Sequence, residues 1–225
     1  MIRSIHTVNR NMNILQKKQE NTSANIANAN TPGYKFQNIL TSTLESKVIV
    51  NHAGGVKSDQ RQELGGFVFG NQIDFVYKDF EQGSLMETGI DTDYSIVGNG
   101  FFTIEGDNGA VNYTRNGNFK LNDENQLVTM EGNRVIRQGQ DFLIADFADY
   151  TNLMSTGDTT FTSNENPVNT FTGQVKSGFL EMSNVSMVDE MVSMIEISRE
   201  FEANQKLLHA ANETLNKAVN EIGRV

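Results

Sequence analysis

The residues with the most catalytic potential in this sequence are its three histidines, His6, His52 and His209, which are far apart in the chain. A histidine acts as a general base or a metal ligand when a nucleophile, a carboxylate or a second ligand lies beside it. None of the three falls in an HExxH, GxSxG or Walker-type sequence, the spacings that supply such partners. We therefore expect solvated surface histidines and no enzymatic activity.

Two short motifs in the middle of the chain could bind a ligand. Gly98-Asn-Gly100 begins like a dinucleotide-binding loop, but Thr103 stands where the third glycine is needed, so the motif predicts a turn between strands. Asp91 and Asp93 resemble a fragment of a calcium loop, yet the rest of that spacing is absent. Paired carboxylates could also hydrolyse glycosides. Because no complete set of partners can be named, we predict no metal, no cofactor and no small-molecule substrate.

Composition excludes several further classes of function. The 225 residues carry a formal charge of −10, and no run of Lys and Arg provides the basic patch that nucleic-acid binding requires. There is no cysteine, which rules out disulfides, thiolate nucleophiles and cysteine-ligated zinc. No stretch approaches the roughly 20 apolar residues of a membrane span. The N-terminal residues lack the apolar run of a cleavable signal peptide, so we expect no membrane insertion and no such signal.

The elements that would position functional residues begin with a helix predicted over about residues 2–28. Its apolar residues follow a 3,4 alternation, which produces the narrow stripe of a coiled-coil seam. The stripe consists of Ile5, Val8, Met12, Leu15 and Ile26, with Gln19 and Thr22 at the remaining positions. Pro32 and Gly33 end the segment, because proline restricts the preceding residue and glycine permits a turn.

A longer helix is predicted from about residue 184 to Gly223, with Asn184 or Ser183 as its N-cap. Eight of its nine heptad positions are apolar, and no Pro or Gly interrupts them. The stripe reads Met194, Ile197, Phe201, Asn204, Leu208, Ala211, Leu215, Ala218 and Ile222.

Opposite charges favour pairing of these two ends. Residues 1–35 carry five basic side chains and one acidic one, so 5 − 1 = +4. Residues 181–225 carry four basic and eight acidic side chains, so 4 − 8 = −4. A basic helix attracts an acidic helix and repels its own kind. The alternative is that both helices merely present solvated charged faces.

Between the helices, short runs of Val, Ile, Phe, Tyr and Thr separated by Gly, Asn and Asp predict a β-rich domain. The expected fold class is α+β, in which the terminal helices form a coiled-coil-like tube domain. The expected boundaries are an N-terminal helix at 1–33, an extended connector at 34–72, a β-rich outer domain at 73–178 and a long C-terminal helix at 179–225.

Three segments together resemble the flagellar basal-body rod protein family. The first is the run NTSANIANANTPGYK from Asn21 to Lys35. The second is DTDYSIVGNGFF from Asp91 to Phe102, preceded by EQGSLMETG and followed by YTRNGNF. The third is GFLEMSNV from Gly178 to Val185, followed by VDEMVSMI and REFEAN. Their order along the chain and their presence at both ends make the resemblance specific, and it covers roughly 60% of the chain.

The resemblance implies a structural subunit of the bacterial flagellar rod that polymerises helically through its terminal helices and transmits torque from motor to hook. Its implied partners are further copies of itself, other flagellar axial proteins of the rod and hook, and the flagellar export apparatus. Its implied location is the flagellar basal body, reached across the cytoplasmic membrane without a cleavable signal peptide.

The residues expected at the assembly interface include Asn25, Asn28 and Asn30, whose amides can hydrogen-bond neighbouring backbones. The others are the apolar residues of the two stripes: Ile5, Val8, Met12, Leu15, Met194, Ile197, Phe201, Leu208, Leu215 and Ile222. Two alternatives stay open, a hook or hook-junction subunit and a secreted coiled-coil scaffold with a β head.

Overall fold

The computed structural model describes residues 2–53, 60–106, 109–139, 141–157, 159–168 and 173–222. The described part has a helix at each end, α1 (Ile2–Ala27) and α2 (Met187–Ile222), with strands between them. In chain order the strands are β1 Gln37–Thr43, β2 Lys47–Ala53, β3 Gln60–Phe67, β4 Asn71–Lys78, β5 Leu85–Glu87, β6 Tyr94–Val97, β7 Phe101–Glu105, β8 Val111–Thr114, β9 Phe119–Leu121, β10 Leu127–Thr129, β11 Arg134–Val135, β12 Arg137–Gln138, β13 Asp141–Phe142, β14 Ile144–Ala145, β15 Leu153–Ser155, β16 Thr160–Ser163, β17 Gln174–Ser177 and β18 Phe179–Glu181.

The predicted N-terminal helix is confirmed, and its end is set by local hydrogen bonds. After Ala27 the chain turns, and Thr31 donates to Asn28 twice, from its backbone N to the Asn28 carbonyl and from Oγ1 to Asn28 Oδ1. Pro32 follows, and Gly33 has a φ of +72°, a conformation that favours glycine. The helix therefore stops where the Asn-Thr-Pro-Gly sequence predicts a stop.

The predicted C-terminal helix is also confirmed, but its predicted N-cap was wrong. The helix begins at Met187, and Ser186 caps it by accepting a hydrogen bond at Oγ from the Asp189 backbone N at 3.4 Å. Asp189 and Glu190 lie in the first turn, where the helix dipole favours negative charge. The helix has 36 residues and is about 54 Å long at 1.5 Å per residue.

The chain forms two compact units, each assembled from separate stretches of sequence. The first comprises Met1–Ser23, Asn38–Val76 and Met191–Val225. The second comprises Ala24–Gln37 and Tyr77–Glu190. Each unit therefore combines stretches that are distant from one another in the sequence, and the domain boundaries expected from the sequence stay a prediction.

Residues 34–72, expected to form an extended connector, contain β1, β2 and β3. β2 and β3 pair antiparallel, with a register irregularity at Ile49 and Val50, while β1 pairs with β4. The β-branched run Val48-Ile49-Val50 favours a strand, but the neighbouring glycines obscured it in the sequence.

The predicted β-rich middle is confirmed in the second unit. Its largest described sheet has the strand order β15-β16-β8-β7-β11-β10-β9, and β14 also pairs with β7. Successive strand residues point to opposite faces, so Phe101 and Phe102 at the start of β7 enter different clusters. One cluster contains Phe101, Tyr113, Ala145, Phe147, Leu153 and Phe161, and the other contains Phe102, Ile96, Ile104, Phe119, Leu127 and Val135.

Candidate functional site

Lys35, Arg115 and Glu181 form a buried ion cluster in the second unit. Lys35 Nζ donates to Glu181 Oε1 at 2.7 Å, and Arg115 Nη1 donates to Glu181 Oε2 at 3.2 Å. Their side chains are 1%, 3% and 0% exposed, respectively. The three residues belong to the three motif segments of the sequence. The fold therefore brings those segments together at one point, which we call the motif junction.

Backbone carbonyls accept further hydrogen bonds from the two cations, although the buried Arg115 Nε has no partner among the described residues. Lys35 Nζ also donates to the Glu81 carbonyl at 2.7 Å, and Arg115 Nη2 donates to the Gly98 carbonyl at 2.6 Å. Lys35 and Arg115 share the single carboxylate of Glu181, so the buried cluster of these three side chains has a net positive charge. Burial lowers the pKa of Lys35 and outweighs the opposing attraction of Glu181. Burial likewise lowers the pKa of Arg115, although a guanidinium stays protonated at neutral pH.

Two glycines allow the motif segments to touch through their backbones. A Cβ on Gly33 would lie 2.3 Å from the Asn116 backbone N, and a Cβ on Gly83 would lie 2.0 Å from the Met182 carbonyl oxygen. Gly33 N also donates to the Glu181 carbonyl at 2.8 Å. A side chain at either glycine would force the segments apart.

Asn25, near the end of α1, is fully buried and uses all its hydrogen-bonding positions within the second unit. Its Nδ2 donates to the Gln37 carbonyl at 2.8 Å and to Glu190 Oε2 at 3.0 Å. Its Oδ1 accepts from Tyr34 Oη at 3.1 Å and from the Gln37 backbone N at 3.2 Å. Two donor hydrogens and two acceptor lone pairs are the full capacity of an amide. These four bonds give Asn25 a role inside the subunit, and its role at the assembly interface stays a prediction.

Asn184 is a second amide that joins motif segments. Its Oδ1 accepts from the Phe36 backbone N at 2.8 Å, and its Nδ2 donates to the carbonyls of Asp79 and Glu81 at 3.0 and 3.2 Å. The wrong N-cap prediction has its physical explanation here, because this side chain binds two other segments instead of the helix start. An asparagine ahead of a helix is equally suited to cap that helix and to hydrogen-bond distant backbone segments. The residue type alone therefore does not distinguish the two roles.

The predicted seam residues of α1 differ in burial. Leu15 is buried, while Ile5, Val8 and Met12 are half-buried. Ile14 is buried although it lies off the predicted stripe, and Gln19 on the stripe is exposed. Asn28 is half-buried and donates to the Ala24 carbonyl, and Asn30 is exposed.

On α2 the predicted seam coincides with the less exposed residues. Asn204 is buried, while the other described seam residues from 194 to 218 are half-buried and their neighbours are mostly exposed. The half-buried members include Met194, Ile197, Phe201, Leu208 and Leu215. The side chain of Ile222 lies outside the described residues. In the first unit, Asn11 Nδ2 of α1 donates to Glu200 Oε1 of α2 at 3.5 Å. A role of these residues between subunits stays a prediction.

The opposite charges of the two ends are partly used inside the subunit. Lys35 and Glu181, both counted in the segment charges above, lie outside the helices and bind each other. Without them, the N-terminal segment carries 4 − 1 = +3 and the C-terminal segment carries 4 − 7 = −3. The remaining charges keep the same signs, so the N-terminal segment is still basic and the C-terminal segment is still acidic.

Among the described residues, those with catalytic potential form no catalytic or metal-binding group. His6 and His209 are exposed, and the side chain of His52 lies outside the described residues.

Gly98 and Gly100 have φ values of +102° and +111° in the connection from β6 to β7, which confirms a turn. Asp93 is buried and Asp91 is exposed. In the described part of the chain, no three His, Cys, Asp or Glu side chains are grouped as a metal site, and no helix there could cross a bilayer.

The chain has an amphipathic helix at each end and a β-rich middle, and its buried ion cluster joins three separate motif segments. Three family models match the chain: flagella basal body rod protein at residues 10–35, flagellar hook protein FlgE/F/G D1 domain at 95–158, and flagellar basal body rod FlgEFG protein C-terminal at 176–221. The motif junction joins residues from all three matched regions.

Similar proteins extend over nearly the whole chain. The flagellar basal-body rod protein FlgG of Agrobacterium fabrum is 31% identical, covering 90% of this chain and 92% of the relative. FlgF of Caulobacter vibrioides is 29% identical, covering 94% of each chain. FlgG of Bacillus subtilis is 28% identical, covering 98% of this chain and 99% of the relative. This chain belongs to the flagellar basal-body rod protein family.

Proposed function

We propose that this chain is a structural subunit of the bacterial flagellar rod that polymerises helically through α1 and α2 and transmits torque from motor to hook. The observation that carries the proposal is the half-buried stripe of α2, which keeps a heptad spacing from Met194 to Ala218. A helix with so narrow an apolar stripe buries it against other helices. Relatives named as rod proteins match 90–94% of the chain, which supports an axle as the assembly concerned.

In this proposal α1 and α2 pair as a coiled coil inside the rod. Their remaining charges of opposite sign favour this pairing over the pairing of like helices. The hydrogen bond from Asn11 to Glu200 supports contact between the two helices. Each subunit then contributes both helices to a central tube, and the seam residues of α1 and α2 form the tube wall.

The proposed partners are further copies of this chain, other axial proteins of the rod and hook, and the flagellar export apparatus. A chain without cysteine can be exported unfolded without forming disulfides on the way. We expect the chain to appear in the medium of cells whose rod is incomplete. Retention of an epitope-tagged copy in the cytoplasm of such cells would argue against export.

The test of the polymerisation proposal compares two neighbouring leucines of α2. Leu208 is a half-buried seam residue, whereas Leu207 is 58% exposed on another side of the helix. Leu208→Asp would bury an unpaired carboxylate, at a cost of several kcal/mol per subunit. We expect this variant to lose sedimentable polymer and swimming motility, while Leu207→Asp retains both to a large extent.

Circular dichroism of both purified variants checks that the β domain is still folded. Normal polymer and normal swimming of the Leu208→Asp strain would refute the role of the seam. Equal loss in both variants would mean that the whole helix surface, and not the heptad stripe, carries assembly.

A further inference from the structure

The connection from β6 to β7 contains a dipeptide that can change its own covalent structure. Asn99-Gly100 is one of three Asn-Gly dipeptides in the chain, together with Asn108-Gly109 and Asn116-Gly117. Asparagine is a chemically labile residue, and a following glycine has no Cβ that would hinder ring closure. Asn108 lies outside the described residues, so the structure compares the reactivity of Asn99 and Asn116.

The reaction at such a dipeptide is a cyclisation followed by hydrolysis. The backbone N of the glycine attacks Cγ of the asparagine, the bond from Cγ to Nδ2 breaks, and ammonia leaves with the proton of the glycine N–H. The two groups belong to adjacent residues, so they need no encounter in solution. Water then opens the cyclic imide at either of its carbonyls, giving aspartate or isoaspartate. In isoaspartate the main chain runs through Cβ and Cγ and is longer by one carbon.

Asn99 is free to react in the folded chain. Its side chain is exposed. In the described part of the chain, neither this side chain nor the Gly100 backbone N has a hydrogen-bond partner. Gly98 and Gly100, which flank Asn99, carry no side chain that would block the approach of Cγ to the Gly100 nitrogen.

Asn116 has the same dipeptide sequence but is held by its neighbours. It is half-buried, and its Oδ1 accepts from the Asn118 backbone N at 3.0 Å. The Gly117 carbonyl accepts from the Tyr94 backbone N at 3.0 Å, and a Cβ on Gly117 would overlap the Tyr94 carbonyl oxygen. Cyclisation at Asn116 must therefore begin with a local opening of these contacts, which lowers its rate.

We infer that Asn99 is a site of spontaneous deamidation, where the folded chain slowly acquires aspartate or isoaspartate. The inference depends on the geometry of this connection and not on polymerisation, so it stands or falls separately from the proposed function.

The effect of the modification follows from the two anchors on either side of Asn99. The Gly98 N donates to Gln82 Oε1 at 3.1 Å, and the Gly98 carbonyl accepts from Arg115 Nη2 at 2.6 Å. On the other side, Phe101 is buried in one of the two core clusters. One additional main-chain carbon between these anchors displaces one of them. The isoaspartyl form therefore weakens the backbone contact of Arg115 at the motif junction.

The experiment incubates the folded full-length chain at mildly alkaline pH and follows each asparagine by peptide mass spectrometry with fragmentation, which separates Asn99 from Asn108. An isoaspartyl methyltransferase labels the isoaspartyl product. We expect Asn99 to lose its amide about tenfold faster than Asn116, because only Asn116 needs a local opening. In urea the two rates should become similar. Faster loss at Asn116 than at Asn99 in the folded chain, or an intact Asn99 while the urea sample reacts, would overturn the inference.

Two variants separate the added main-chain carbon from the added charge. Asn99→Gln closes its ring far more slowly, because the ring is larger, so the incubated variant should keep the urea midpoint of the fresh protein. Fresh Asn99→Asp has the charge of the product with a normal main chain and should unfold like fresh wild type. Incubated wild type should contain a fraction that unfolds at lower urea concentration. An unchanged midpoint despite isoaspartate formation, or an equal loss in fresh Asn99→Asp, would overturn the effect on the motif junction.

Discussion

Glu181 Oε1 lies 2.7 Å from Lys35 Nζ, although 146 positions separate the two residues and both side chains are shielded from water. This ion pair, with Arg115 on the other carboxylate oxygen, ties the segment after α1 to the segment before α2. A buried charge cluster costs more to break than a surface pair, because the group left behind keeps its desolvation penalty. The motif junction is therefore the place where single substitutions should act most strongly on stability.

Glu181→Gln should lower the free energy of unfolding by about 3–5 kcal/mol, because it leaves two buried cations without their carboxylate. The matched control is Glu105→Gln, which breaks the exposed ion pair with Arg134 and should cost about 1 kcal/mol or less. Urea titrations followed by circular dichroism measure both values. Similar costs for the two variants would show that the buried cluster contributes no more than a surface pair.

Gly33→Ala should destabilise the second unit more than Gly89→Ala. Both glycines have positive φ, +72° and +67°, so both variants bear the roughly 1–2 kcal/mol cost of a left-handed residue. A Cβ on Gly89 meets no atom within 4 Å, whereas one on Gly33 meets the Asn116 backbone. We expect about 1–3 kcal/mol of additional loss at Gly33. Thermal melts give the comparison, and equal losses would rule out the close approach as the reason for glycine there.

The stability difference between wild type and Lys35→Met should change with pH. Burial lowers the folded-state pKa of Lys35 below its ordinary value of 10.5, so between the two values the unfolded state binds more protons. Stability of the wild type relative to the variant should therefore rise as the pH increases from neutral towards that value. Titrations at several pH values test the sign. A relative stability that falls over this range would mean that pairing with Glu181 raises the pKa instead.

Changing Lys17 and Lys18 to Glu should slow polymerisation and weaken its dependence on salt. Lys17 pairs with Glu20 at 2.7 Å on the exposed side of α1, so these charges act at the rim and alter association rates more than affinity. The control with an equal change of charge is Lys120→Glu with Lys176→Glu, two exposed positions of the second unit. Polymerisation rates over a range of ionic strengths, together with export into the medium, decide the case. Reduced export with unchanged polymerisation at every salt concentration would assign these lysines to export.

Periodicity in the sequence was sufficient to predict both helices, because a long amphipathic segment without Pro or Gly has few alternatives. It was less reliable for the face of α1 that becomes buried. A strict 3.5-residue repeat drifts from the true 3.6-residue turn, so Gln19 on the predicted stripe is exposed while Ile14 beside it is buried. Local signals thus predicted the element correctly and its orientation only in part.

The sequence by itself determined the family motifs, the two amphipathic helices and the helix stop at Pro32 and Gly33. These features depend on neighbouring residues, so local sterics and side-chain period suffice to predict them. Only the tertiary structure decided that Lys35 and Arg115 share Glu181 and that Asn25 binds Glu190 across 165 positions. Lysine, arginine and asparagine have the same local preferences on a surface as in a buried clamp. Whether such a residue lies on the surface or in a buried cluster depends on the order of the strands and on which chain segments cross. No local sequence pattern predicts this outcome.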